Sequence, residues 1–281
     1  MKFLKACGWV VLYTLIFFAS SVLAGVFLAS LHVLLTLAGL SPNLPDIFIL
    51  LCASAVLLLG FGGLTLVMRG IKPLKYLRFK AISIRDGAAS LVMGIGFALF
   101  ITSLLTMIKF DTLIPDPVSQ DMLEAIMANF PAVLLAVGII VPVYEEVFFR
   151  GLVFNEVKGV SRPWVALVVQ GLIFGAFHLN WFQFTYTVPA GIILGLVYLR
   201  YQSIWAPILI HLGWNSTSTI LSALLPERVS ADTFYALMLL GAILLFITLF
   251  YSFKIRPRTL EGPEPGPISV EPVEREEPEY C

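Results

Sequence analysis

The feature that most constrains this chain is the recurrence of apolar runs, each long enough to cross a lipid bilayer and each separated from the next by a short polar loop. Lipid offers no partner to backbone N–H and C=O groups, so a spanning segment must satisfy them internally, and a helix needs about 20 apolar residues to do so across the hydrocarbon core. On that criterion eight spans are predicted, at 9–37, 46–68, 88–109, 131–155, 163–180, 184–201, 203–225 and 232–253. The expected fold class is all-α, a polytopic membrane protein built as a bundle of about eight transmembrane helices over 1–255. Composition agrees: 59% of the residues are hydrophobic and only 13% charged, far from the balance of a soluble domain. The first run follows Lys2 and Lys5 and carries a signal-like "VLAG" at 22–25, but it stays apolar well beyond that point, so a retained span is expected.

Charge sets the orientation. Arg69, Lys72, Lys75, Arg78, Lys80 and Arg85 cluster after the second span, whereas 110–130 holds Asp111, Asp116, Asp121 and Glu124. The positive-inside bias places the basic loop in the cytoplasm, and eight crossings then put both termini there too. Aromatic residues among those cations read as a segment lying on anionic lipid, not as a nucleic-acid surface, so no nucleic-acid partner is expected. Residues 256–281 are rich in Pro and Glu and poor in core-forming residues, which predicts a disordered acidic cytoplasmic tail. Cys7, Cys52 and Cys281 suit neither a disulfide framework nor a structural zinc site, and Cys281, as the last residue, leaves no prenylation box.

Ionisable groups inside a bilayer are costly, about 2.5–3.5 kcal/mol each at a helix centre even by the mildest scale, so each one in a span is a candidate functional residue. The stretch "VYEEVFFRGLVF" at 143–154 places Glu145, Glu146 and Arg150 in one span. Glu146 and Arg150 are four apart, in the acid-before-base order that favours pairing on a helix, while Glu145 diverges from its neighbour by about 100°. Pro142 just ahead predicts a local break that opens space around the glutamates. The chain has three histidines: His178 and His211 fall in spans five and seven, and His32 stands alone near the end of span one, where a structural role is expected. Phe174 precedes His178 by four residues and His211 precedes Asn215 by four, so each pair shares a helix face. Gly171, Gly175, Gly191 and Gly195, also four apart within each span, predict close packing of spans five and six.

The ordered set "EEVFFR" (Glu145, Glu146, Arg150), "FGAFH" (Phe174 to His178) and "HLGWN" (His211 to Asn215) resembles the CAAX protease and bacteriocin-processing family of intramembrane endopeptidases, also called the ABI or type II CAAX prenyl endopeptidase family. The likeness covers about 130–220. It implies a helical peptidase in a prokaryotic plasma membrane, hydrolysing a membrane-associated or lipidated protein or peptide near the cytoplasmic side. On this resemblance Glu145 is the general base on a water, His178 orients that water, His211 and Asn215 stabilise the oxyanion, and Glu146, Arg150 and Phe174 support them. No cofactor is expected; a Zn²⁺ held by Glu145, His178 and His211 is the alternative, without any HExxH helix to favour it. Two other functions use similar residues: a proton-coupled carrier, and a non-catalytic immunity or scaffold protein of the membrane.

Overall fold

The computed structural model describes residues 1–40, 45–116, 119–225 and 230–255. The predicted acidic tail and Cys281 lie outside the described residues. Among these residues there is no strand, and the architecture is an all-α bundle. Eight principal helices follow one another: α1 Lys2–Leu37, α2 Asp46–Met68, α3 Ile84–Met107, α4 Phe130–Lys158, α5 Pro163–Ala176, α6 Trp181–Tyr201, α7 Trp205–Leu224 and α8 Ala231–Phe250.

Six of them are long and apolar enough to cross a membrane: α1, α2, α3, α4, α6 and α8, the last extended to Lys254. The expected count of eight spans is therefore not met by length and composition among the described residues. Helix α5 has 14 residues, which at about 1.5 Å per residue gives a rise of about 21 Å, short of a hydrocarbon core of about 30 Å. It stops early because Leu179 adopts a left-handed φ of 50° and Asn180 already caps α6, accepting from Phe182 N at 2.9 Å. Helix α7 has the length, but His211, Asn215 and the Ser216–Thr219 run make it more polar than the others. His211, Asn215 and Ser216 bond to α4, and polar side chains are tolerated in a membrane where they face protein.

Packing is closest where glycine replaces a side chain. Helix α3 lies against both α7 and α8. A Cβ at Gly94 would sit 1.9 Å from the Ile210 carbonyl oxygen, and one at Gly213 would sit 2.5 Å from that of Leu91, so α3 and α7 touch backbone to backbone. The same device joins α5 to α6: a Cβ at Gly191 would meet Gly171 Cα at 3.0 Å. On the other side, Phe17 of α1 packs its ring 5.0 Å from Phe148 and 4.9 Å from Phe177, tying α1 to the buried face of α4.

The basic segment after α2 is anchored to protein rather than merely resting on lipid. Arg69 Nη1 donates to Glu156 Oε1 of α4 and, at 2.6 Å, to the Tyr13 hydroxyl of α1. Tyr76 donates to the same carboxylate oxygen at 2.8 Å, and Leu77 is buried against Gly151. Burial first, and the Glu156 charge second, push the Tyr76 phenol far above its ordinary pKa. Lys72, Leu74 and Lys75 remain exposed, so part of the segment keeps the surface character expected of it.

The backbone contact at Gly94 makes a prediction. Gly94→Val should destabilise the bundle by about 3 kcal/mol through overpacking, whereas Gly60→Ala, with nothing within 4 Å of the new Cβ, should leave it unchanged or slightly more stable. Thermal unfolding in detergent, followed by far-UV circular dichroism, distinguishes the two.

Candidate active site

The site is organised by α4, which alternates between two helical forms. It is α-helical at Phe130–Leu135 and Val141–Glu146 and π-helical at Ala136–Ile140 and Val147–Phe154. Pro142 accounts for the first irregularity. Lacking an N–H, it can donate neither to Gly138 O, its α-helical partner, nor to Val137 O, its π-helical one. Helix α7 donates to both of these carbonyls: Asn215 Nδ2 to Val137 O at 3.0 Å and Ser216 Oγ to Gly138 O at 3.1 Å. A Cβ at Gly138 would lie 2.7 Å from Ser216 Oγ, so the glycine makes room for this contact.

One turn further on, a chain of ionic hydrogen bonds crosses the core. Arg150 Nη1 donates to Glu146 Oε1 at 2.8 Å, with both side chains fully buried. The same carboxylate oxygen meets His211 Nδ1 at 2.8 Å. A carboxylate paired with a guanidinium accepts, so His211 Nδ1 is the donor. The other ring nitrogen, Nε2, is then turned towards Glu145 Oε2, 3.8 Å away, close enough for an ionic contact and beyond direct hydrogen-bond distance. Glu145 is the less buried of the two acids, with 15% of its side chain exposed. The neighbouring glutamates diverge along α4, as their spacing requires, yet both reach His211, because the imidazole enters between them and offers one nitrogen to each.

Arg150 has further partners. Its Nη2 donates to Gly191 O of α6 at 3.2 Å, and its guanidinium lies 4.6 Å from the centre of the Phe174 ring, where the π face favours a cation. Phe174 sits edge-on to His178 and to His211, at 5.0 and 5.8 Å between ring centres. His178 lies in the α5–α6 turn and not within a span as expected, since α5 ends at Ala176. Its Nδ1 bonds Phe174 O at 2.9 Å; a carbonyl only accepts, so Nε2 is the free acceptor of this imidazole.

The structure thus gathers Glu145, Glu146, Arg150, Phe174 and His211 directly, brings His178 in across the Phe174 ring, and sets Asn215 one helical turn beyond His211 on Val137 O. His32 stays apart, bonded to Asp46 at 2.8 Å near the ends of α1 and α2. Sequence reasoning missed Gln170, which is fully buried and donates to Gly191 O at 2.7 Å. It is the one polar side chain in α5, and that isolation, four residues before Phe174, was the available signal.

A helical bundle enclosing a carboxylate–guanidinium–imidazole chain beside a second, partly accessible glutamate defines an integral membrane protein with an intramembrane polar site. Residues 127–217 match the family model described as type II CAAX prenyl endopeptidase, Rce1-like, which bears out the resemblance carried by the three motifs. The chain is 28% identical over 110 residues to the candidate membrane peptidase YdiL of Bacillus subtilis (strain 168), a stretch covering 39% of this chain and 44% of that protein. It is 32% identical over 125 residues to the membrane-embedded CAAX protease MroQ of Staphylococcus aureus (strain USA300), covering 41% of this chain and 49% of MroQ. The chain therefore spans about half the length of the curated relatives it matches. No solved structure matches it.

If Asn215 and Ser216 replace the donor that Pro142 lacks, the two positions must be coupled. Ser216→Ala should cost about 1 kcal/mol in the wild-type background and measurably less in Pro142→Ala, where the helix regains its own N–H. A double-mutant cycle on unfolding free energy in micelles reads the coupling; strict additivity would contradict the account.

Proposed function

We propose that the protein is a CAAX-type intramembrane endopeptidase that hydrolyses a peptide bond of a membrane-associated or lipidated protein near the cytoplasmic side of a prokaryotic plasma membrane, with both termini in the cytoplasm. The observation that carries the reading is His211 held between two carboxylates of unequal burial. One of them, Glu146, is committed to Arg150, and the other, Glu145, is partly accessible and unpaired with any cation other than His211 among the described residues.

In this mechanism Glu145 takes a proton from a water, and the hydroxide formed attacks the substrate carbonyl carbon. His178, with Nδ1 tied to the Phe174 carbonyl, accepts a hydrogen bond from that water through Nε2 and fixes its direction. The tetrahedral oxyanion takes hydrogen bonds from His211 Nε2–H and from the second N–H of Asn215 Nδ2, the first being held by Val137 O. In this mechanism His211 carries a proton on each nitrogen from the start, Nδ1–H donating to Glu146, and it keeps both throughout, so it leaves the proton balance unchanged. Glu145 then passes its proton to the leaving amine nitrogen, which balances the reaction. Removing one oxyanion donor from such a site costs about 10²–10³ in rate.

The side chains do not fit a zinc ion. Among the described residues no three His, Cys, Asp or Glu side chains converge closely enough to hold a metal. The Arg150 charge also lies beside the carboxylates, where it opposes a second cation. The proposed chemistry is therefore metal-free.

The test is cleavage in proteoliposomes of an internally quenched, lipid-anchored peptide library. Wild-type protein should cleave in the presence of a zinc chelator, and Glu145→Gln should lose at least about 10³-fold in rate, the size of a lost general base together with its electrostatic role. Undiminished cleavage by Glu145→Gln would end the mechanism, and loss of wild-type activity on chelation would restore a metal.

A further inference from the structure

Gln170 presents a physical puzzle. It is fully buried in a helix that is otherwise apolar, and its Oε1 has no hydrogen-bond partner. A buried unpaired oxygen is unfavourable, and methionine would fill much the same volume without one. What Gln170 gains is position. Its Nε2 donates to Gly191 O at 2.7 Å and to Leu167 O at 3.0 Å, so the amide is fixed between α6 and its own helix. Gly191 O is also the acceptor of Arg150 Nη2. Two glycines allow this meeting: a Cβ at Gly195 would lie 2.9 Å from Gln170 Nε2, and one at Gly191 would lie 3.1 Å from Phe174 Cδ1.

Helix α5 thus presents Gln170 and Phe174 four apart on one face, and His178 follows four residues later in the α5–α6 turn. Gln170 shares a carbonyl with the guanidinium, Phe174 lies under the guanidinium, and His178 follows at the end of the row. We infer that Gln170 is a positioning residue of the site: by fixing the Gly191 carbonyl, it sets the place of Arg150, and through Arg150 and Glu146 it sets the direction in which His211 points Nε2. The inference rests on the peptidase reading only for its consequence in rate; the placement of His211 is a property of the folded protein whether or not it cleaves anything. Arg150 Nε is buried and unpartnered like Gln170 Oε1, so the guanidinium is held by its two Nη hydrogen bonds and by the Phe174 ring.

The experiment uses the full chain in lipid nanodiscs with ¹⁵N-labelled histidine. The sequence contains three histidines, so the imidazole spectrum is simple, and His178→Gln and His32→Gln assign it by subtraction. Gln170→Met should shift the His211 Nδ1–H resonance and leave that of His32 in place. In proteoliposomes the same variant should lower kcat about 10-fold with KM unchanged, as loss of a supporting hydrogen bond does in other sites. Gln170→Glu, which keeps a polar side chain and draws Arg150 away from Glu146, should move the same resonance and serves if the methionine variant folds poorly. A His211 signal unmoved in both variants would overturn the inference, as would unchanged kcat in a wild type that cleaves. Should the resonance move in a protein that shows no cleavage at all, Gln170 keeps its positioning role and it is the peptidase reading that fails.

Discussion

The structure depends on one ion pair placed where an ion pair is least expected. Glu146 and Arg150 are both wholly withdrawn from solvent, and desolvating two charges costs several kcal/mol each before their attraction is counted. Apolar residues of similar volume would hold a helical bundle together as well. The pair makes sense as a fixture: Glu146 Oε1 accepts from Arg150 on one side and His211 on the other, so an imidazole from α7 is oriented by a guanidinium on α4. Neighbouring elements are arranged around that requirement. The Gly191 carbonyl and the Phe174 ring close on the guanidinium, and glycines on α5 and α6 let those helices come near enough to supply them.

Helix α4 shows how a break in regular structure becomes useful. Pro142 removes a donor ahead of the glutamates, the backbone opens into a π turn, and the carbonyls of Val137 and Gly138 become docking points for Asn215 and Ser216. These two hydrogen bonds fix the register between α4 and α7, the two helices whose side chains must meet. At its other end α4 is tied down by Glu156, through Arg69 and Tyr76, so the helix carrying both acids is held above and below the site.

Much of this was legible in the sequence, for physical reasons that can be named. Runs of apolar residues require helices in lipid, and the eight principal helices fall where those runs do. Charges inside such runs must find partners, which singled out Glu145, Glu146, Arg150 and His211. Other features were not legible. The early end of α5 turns on the left-handed backbone at Leu179 and on Asn180 as a cap, both hidden within an apolar stretch that hydropathy reads as one span. The meeting of both glutamates with one imidazole depends on the depth at which α7 enters, which helical spacing along α4 alone does not contain. Gln170 escaped notice because an amide in an apolar helix reads as a generic interhelical contact until the carbonyl it shares with Arg150 is seen.

The Glu146–Arg150 pair serves to place His211 rather than to stabilise the bundle. Unfolding free energies and cleavage rates of Glu146→Leu, Arg150→Met and the double variant, measured side by side in lipid, test it most directly. Each single change should cost about 3–5 kcal/mol by leaving a buried charge alone, while the double variant recovers most of that stability and remains inactive. A double variant that cleaves at the wild-type rate, or single variants as stable as the wild type, would contradict the account.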